Sequence, residues 1–194
     1  MKRALFLAAL FIVSALPGDA QQTLAARLGY GPDAKLLIVH ADDLGMAHSV
    51  NDAFIKAYDT GLVNSGSIMV PCPWFPEIAA FAHKHPAADL GLHLTLTSEW
   101  RDYRWRPLVA GAGAASLVDE SGYLHRSVTE AAEHIDPKSA ELEIRAQITR
   151  ARASGIRLTH LDSHMDTLYR TPALLSMFLR VAREPTLGLI PSRS

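Results

Sequence analysis

The chain has 194 residues, the size of one ordinary domain, and a single cysteine, Cys72, which excludes an intramolecular disulfide. Hydrophobic residues make up 48% of it and charged residues 20%, a globular composition. The formal net charge of −1 gives no indication of a surface for nucleic acid or anionic membranes, so we expect no nucleic-acid partner. Nine histidines are many for this length and favour a metal or acid–base site.

The N-terminal segment 1–20 predicts a signal peptide. Lys2 and Arg3 form a positive region, an uncharged apolar stretch follows over residues 4–16, and Ala20 is a small residue where a signal peptidase would cleave. The apolar stretch is short for a membrane span, which needs about 20 residues, and an uncleaved anchor is the alternative. We therefore expect export to the periplasm or the medium, no stable membrane span after cleavage, and a mature domain over residues 21–194.

Predicted strands and helices alternate along the rest of the chain. Leu36–His40 is a compact apolar run that predicts a buried parallel strand, and Leu92 and Leu94 alternate with polar residues in another. In chain order the predicted elements are strand 36–40, helix 47–60, strand 62–70, helix 75–85, strand 89–97, helix 137–154, strand 157–161, helix 171–184 and strand 187–190. This alternation predicts an α/β fold with a parallel sheet. Residues 98–137 are interpreted as a long functional loop.

Polar residues lie at the carboxyl ends of three predicted strands. Asp42 and Asp43 follow the first strand, His93 lies near the end of the third, and His164 follows the fourth. The carboxyl ends of parallel strands meet at the same edge of a sheet, so we expect these side chains to converge. Two imidazoles and one carboxylate suit a catalytic divalent metal, and a second carboxylate could take a proton from water. Each fragment alone is more typical of a turn, a core histidine or a helix cap.

These fragments resemble the three motifs of the YdjC-like deacetylases. The segments concerned are LIVHADDLG at 37–45, GLHL at 91–94 and THLDSH at 159–164, and the resemblance extends over about residues 36–191. That family includes chitooligosaccharide deacetylases and a hopanoid-associated branch.

The resemblance implies an irregular (β/α) barrel, similar to a TIM barrel, that removes N-acetyl groups from carbohydrates with a divalent metal, Mg²⁺ or Zn²⁺. It implies an acetylated oligosaccharide or amino sugar as substrate. Carried over by motif, Asp42 would be the general base, Asp43, His93 and His164 would be the metal ligands, and Asp162 would orient the site.

Departures from the family pattern predict a different sub-branch and a different substrate. His40 stands where the family often has asparagine, Leu44 where it often has phenylalanine, and Met165-Asp166 where further histidines are frequent. Members of the family also continue for several more elements, including a later histidine motif that resembles a general acid. Because a complete (β/α) barrel takes about 250 residues, we expect a C-terminally truncated fragment and an incomplete barrel.

Further candidates lie near the predicted cluster. Trp100, Tyr103 and Trp105 could stack on a sugar or anchor their loop, and His40 and His160 could support the site from behind. Two other functions stay open at this point: another metal-dependent hydrolase such as a phosphoesterase, and a non-catalytic or vestigial sugar-binding protein. A homodimer is left open as well.

Overall fold

The computed structural model describes residues 23–184, which belong to two compact units, one up to Leu37 and one from Ile38 onward. In the first unit, helix α1 (Leu24–Arg27) makes a single turn that the Thr23 side chain caps. The predicted signal peptide and the predicted strand 187–190 lie outside the described residues. Within the described part of the chain, no helix is long and apolar enough to cross a membrane.

The second unit is built on a parallel sheet that has four strands within the described residues. In sheet order these are β1 (His40–Leu44), β2 (Ser65–Ile68), β3 (Asp89–Leu94) and β4 (Leu158–Ser163). Each strand pairs with the next one along the chain, as in a (β/α) barrel. The predicted α/β fold with a parallel sheet is thereby confirmed, whereas closure into a barrel stays a prediction.

Helices connect these strands, as parallel pairing requires. The connecting helices are α2 (His48–Asp59), α3 (Phe75–Lys84), α4 (Val128–His134) and α5 (Pro137–Ala153), with a 3₁₀ segment at Gly111–Ala114. Strand β4 is followed by a 3₁₀ segment at His164–Tyr169 and by α6 (Pro172–Ala182). Helices α5 and α6 begin where the sequence indicates, because Asp136 and Thr171 cap their N-termini and a proline follows each cap. All four predicted helices are confirmed to within a few residues.

The position predicted for the first strand is wrong. We expected a buried strand at 36–40, but β1 covers His40–Leu44, and Leu37 and Ile38 are 78% and 70% exposed. The register explains the shift, because His40 pairs with Ser65, the first residue of β2. Ile38 therefore precedes the paired part of the sheet, and its side chain gains no burial from β2.

The long segment 98–137 is not the loop that the sequence predicted, because it contains helix α4. The Ser127 side chain accepts a hydrogen bond from the Glu130 backbone N–H, and the Glu130 carboxylate accepts one from the Arg126 backbone. Ser127 and Glu130 have the spacing of a capping box. Seven residues are too few to show a helical period, so this cap is the only local signal for α4.

The two faces of the sheet differ in polarity. Leu90, Leu92 and Leu94 of β3 are buried, and they belong to the apolar core that the helices also line. The opposite face is polar, since His40 contacts Ser65 and Ser67, and His93 contacts Asp162 across the sheet. Every candidate side chain on β1, β3 and β4 therefore depends on a register that the apolar face fixes.

Asn51 of α2 holds the turn after β1. Its Oδ1 accepts a 2.7 Å hydrogen bond from the Gly45 N–H, and its Nδ2 donates to the Trp74 carbonyl and the Glu77 carboxylate. Gly45 has φ 90°, and a Cβ there would lie 3.2 Å from the Phe75 Cα, so the turn accommodates a residue without a side chain. These hydrogen bonds of Asn51 thereby fix where β1 ends.

We expect Asn51→Ala to lower the free energy of unfolding by about 2–3 kcal/mol, because the buried Gly45 N–H loses its acceptor. Urea denaturation measures this change. Asp52→Ala is the matched control, since it removes only an exposed pair with Lys56 and should cost about 0.5 kcal/mol or less. Equal losses of unfolding free energy in the two variants would mean that Asn51 does not hold this turn.

Candidate metal centre

Three segments that are distant in the sequence bring Asp43, His93 and His164 together. Asp43 Oδ1 lies 3.4 Å from His93 Nε2 and 3.2 Å from His164 Nδ1. One ligand atom from each of the three residues lies within 4.8 Å of the other two. Both imidazoles are buried and the carboxylate is partly buried. Three of the four side chains that we expected at the strand ends, Asp43, His93 and His164, therefore lie together.

In each imidazole of this set, the ring nitrogen that faces away from Asp43 contacts a carboxylate. His93 Nδ1 lies 2.7 Å from Asp162 Oδ1, and His164 Nε2 lies 3.1 Å from Glu99 Oε2. An ionised carboxylate only accepts hydrogen bonds, so the nitrogens facing Asp162 and Glu99 are the donors. In the neutral imidazoles this leaves His93 Nε2 and His164 Nδ1 with free lone pairs, and both face Asp43.

The geometry of the three ligand atoms fits a divalent cation. Asp43 Oδ1 is buried and has no hydrogen-bond partner, although two imidazole nitrogens lie near it. Nitrogen and oxygen ligands about 2.0–2.2 Å from a tetrahedral zinc ion are roughly 3.3–3.5 Å from one another. The separations of 3.4 and 3.2 Å from Asp43 Oδ1 are close to that range. A cation would satisfy the oxygen that the protein leaves without a partner.

Charge in the centre is balanced between carboxylates and imidazoles. Burial lowers the pKa of His164, but Asp43 and Glu99 more than offset this effect and raise the pKa to about 9. Contact with His164 in turn lowers the pKa of Asp43, against the opposing effect of burial. The two carboxylates therefore favour a second proton on the His164 ring, and a cation at Nδ1 would compete with that proton.

Left-handed backbone occurs at two of the segments that form the centre. Asp43 has φ 62°, and the pairing register between β1 and β2 shifts at this point. Met165 and Asp166, directly after His164, have φ 53° and φ 56°. Such conformations cost a non-glycine residue about 1–2 kcal/mol and are concentrated at functional sites. The local strain accompanies two of the candidate ligands, Asp43 and His164.

Asp42, the predicted general base, lies beside the ligand set and outside it. Its side chain is 59% exposed, and Asp42 Oδ1 is 3.5 Å from His40 Nε2. His40 also contacts Asp162, with Nε2 3.4 Å from Oδ2, and its ring lies 5.1 Å from that of His160. Both predicted supporting histidines thus lie on the polar face, next to the residue that orients His93.

The aromatic residues of the segment after β3 differ in their exposure. Trp105 is 2% exposed, and its indole N–H donates to the Thr97 carbonyl, so this ring anchors the segment. The Tyr103 hydroxyl donates to the Met46 carbonyl at 2.6 Å. Trp100 is 46% exposed and is the ring most accessible to a ligand.

Glu99 is the residue of the centre that the sequence analysis missed. It lies five residues beyond the end of β3, inside the segment that we had interpreted as a loop. The polar stretch Thr97-Ser98-Glu99 at the carboxyl end of a strand was the available signal. The contact with His164 depends on how the chain continues after the strand, which no local pattern specifies.

Comparison with known proteins places the chain among deacetylase relatives. The family model described as YdjC-like protein matches residues 36–192. A carbohydrate deacetylase of Thermus thermophilus is 39% identical over 159 residues, which are 82% of this chain and 54% of the relative. Another, of Brevibacillus brevis, is 34% identical over 76% of this chain and 56% of its own length. The chain thus spans little more than half the length of these relatives.

A solved structure shares the fold. The crystal structure of a "putative cellobiose-phosphate cleavage protein" of Enterococcus faecalis aligns with a TM-score of 0.71 and 32% sequence identity. The alignment covers 81% of this chain and 59% of that protein.

We expect Glu99→Gln to weaken zinc binding about 10- to 100-fold, the usual effect of removing an orienting carboxylate. An amide is a weaker acceptor for the His164 Nε2–H and brings no negative charge. Titration with Zn²⁺ against a competing chelator measures the affinity. Glu120→Gln, at an exposed position, is the matched control and should leave the affinity unchanged. Equal affinities in the two variants would mean that Glu99 does not orient His164.

Proposed function

The chain belongs to the YdjC-like protein family, and on that premise we propose that it carries the metal centre of a carbohydrate deacetylase. The substrate is an acetylated oligosaccharide or amino sugar, and the reaction is hydrolysis of the N-acetyl amide. The observation that carries the proposal is the convergence of Asp43, His93 and His164 around one unpartnered oxygen. The name carbohydrate deacetylase, borne by the relatives, supports the reaction class.

The proposed cofactor is one divalent cation held by Asp43, His93 and His164. Two imidazoles and one carboxylate are a donor set typical of Zn²⁺, and Mg²⁺ is the alternative that the resemblance implied. When bound, such a cation lowers the pKa of water and polarises the amide carbonyl. Asp162 and Glu99 keep each imidazole proton on the nitrogen that faces away from Asp43, so that the other nitrogen can bind.

In this proposal, Asp42 accepts the proton of the attacking water. Its carboxylate is adjacent in sequence to the ligand Asp43, and its exposure leaves it accessible to water and substrate. His40 Nε2 lies 3.5 Å from its Oδ1. The exposed Asp42 carboxylate can accept the proton while the partly buried Asp43 carboxylate binds the cation, and this difference in exposure supports the assignment.

Trp100 is the proposed contact for the sugar, because it offers an exposed ring on which the apolar face of a sugar can stack.

Export to the periplasm or the medium is proposed from the N-terminal sequence alone, since residues 1–20 are outside the described part of the chain.

We expect Asp42→Asn to reduce acetate release from N-acetylglucosamine oligomers at least about 100-fold, because an amide cannot accept the proton. Zinc binding should stay unchanged, since Asp42 is not among the converging ligand atoms. Acetate assays and zinc titrations on the full chain measure both quantities, and Asp52→Asn, on α2 and outside the centre, is the control. Undiminished turnover in Asp42→Asn would remove this residue from the mechanism.

Removal of the cation provides an independent test. Treatment with a chelator should abolish acetate release, and added Zn²⁺ should restore it, because the ligands alone do not activate water. In His93→Ala, which lacks one ligand, the same addition should restore far less activity. Acetate release that survives complete metal removal would contradict a metal-dependent reaction, and its absence from the zinc-loaded chain would contradict deacetylation.

A further inference from the structure

The polar face of the sheet carries a second cluster of ionisable side chains, separate from the ligand set of Asp43. It borders a cavity of about 430 Å³ that is lined by Ile38, His40, Ser65, Asp89, Thr159, His160 and Asp162. Two carboxylates and two imidazoles are among these residues, and neither lysine nor arginine is. The lining therefore favours a cation over an anion.

Three of these residues have ligand atoms close enough to share an ion. One atom each from His40, His160 and Asp162 lies within 4.8 Å of the other two. His40 Nε2 is 3.4 Å from Asp162 Oδ2, and the exposed Asp42 carboxylate is 3.5 Å from the same nitrogen. The three side chains are 26%, 14% and 24% exposed, so the group is partly desolvated and still reachable from the cavity.

His160 supplies the most direct indication of a ligand. Its Nε2 is buried and has no hydrogen-bond partner. Its Nδ1 lies 2.9 Å from Thr159 Oγ1, and that hydroxyl donates its own hydrogen to Asp89 Oδ1. The hydroxyl oxygen is therefore the acceptor that keeps the ring proton on Nδ1. Burial lowers the pKa of His160, which favours the neutral ring. A neutral imidazole with its proton on Nδ1 offers a free lone pair at Nε2.

Gly91 allows the His160 ring to take this place. A Cβ built on Gly91 would lie 2.4 Å from His160 Nε2, far closer than any contact between heavy atoms that are not bonded. The backbone of β3 thus leaves the space that the ring fills, and no side chain at this position competes for the nitrogen.

We propose that His40, His160 and Asp162 form a second divalent-cation site, which prefers Zn²⁺, Co²⁺ or Ni²⁺ over Mg²⁺ or Ca²⁺. Two imidazoles with one carboxylate are the donors that the first group of ions prefers, whereas the second group prefers oxygen ligands alone.

This site is not half of a binuclear centre. The His93 ring lies between the two sets, because its Nε2 faces Asp43 while its Nδ1 is bonded to Asp162 Oδ1. Asp162 Oδ2, the oxygen on the His40 side, is the one that the second cation would use. In binuclear hydrolases the ions are about 3.5–4 Å apart. Here the two ions would share no ligand, and Asp162 would serve one directly and the other through His93.

Counting bound zinc on the full chain tests the proposal. After chelator treatment, equilibrium dialysis against Zn²⁺ with metal analysis should give one equivalent fewer for His40→Asn than for the wild type. Asparagine retains a polar group next to Ser65, which favours normal folding. His83→Asn, which removes an exposed histidine at the end of α3, is the matched control and should bind as much zinc as the wild type.

A second pair of variants separates the two sites. His164→Ala removes a ligand of the first set and should lower the count by one, and adding His40→Asn should lower it by one more. Unchanged zinc in His40→Asn would overturn the proposal, and so would a wild-type chain that binds a single equivalent. If circular dichroism shows that His40→Asn is unfolded, His160→Gln replaces it with the same expectation. If His40→Asn binds as much zinc as the wild type, only the second site is contradicted and the proposed deacetylase centre is not. If the wild type binds no zinc, both the second site and the proposed deacetylase centre are contradicted.

Discussion

One carboxylate, Asp162, controls the arrangement of the polar face of the sheet. Its Oδ1 bonds to His93 and its Oδ2 faces His40, so a single side chain on β4 fixes residues of β3 and β1. Burial raises the pKa of Asp162, but its contacts with His40 and His93 outweigh that effect and hold the pKa well below the ordinary value. A partly buried carboxylate such as this one depends on such partners to stay ionised. Loss of this charge would release both imidazoles together.

The apolar face of the same sheet explains how the side chains of the polar face are positioned. Leu92 and Leu94 are buried among the helices, and a slip of one residue in β3 would move them to the polar face and carry His93 into the core. The free-energy cost of that exchange is large, because a leucine buried fully contributes about 1.5–3 kcal/mol. Packing on one face of the sheet therefore sets the positions of the candidate ligands on the other.

The sequence predicted the parts of the centre that follow from topology. Carboxyl ends of parallel strands meet at one edge, so the convergence of Asp43, His93 and His164 could be expected before the fold was known. Features that depend on long-range contacts could not be predicted. Glu99 reaches His164 only because the chain turns back after β3, and the position of β1 is set by its pairing with Ser65. An apolar run alone does not indicate where pairing begins.

The left-handed backbone at Asp43 restricts which residues suit that position. Glycine would relax the local conformation by about 1 kcal/mol or more, and asparagine would also be tolerated well. An aspartate there is thus a worse choice for folding and a better one for holding a charge. Laboratory evolution that rewards thermal resistance alone would therefore drift towards glycine at this codon, and would lose the candidate carboxylate ligand while the fold is retained.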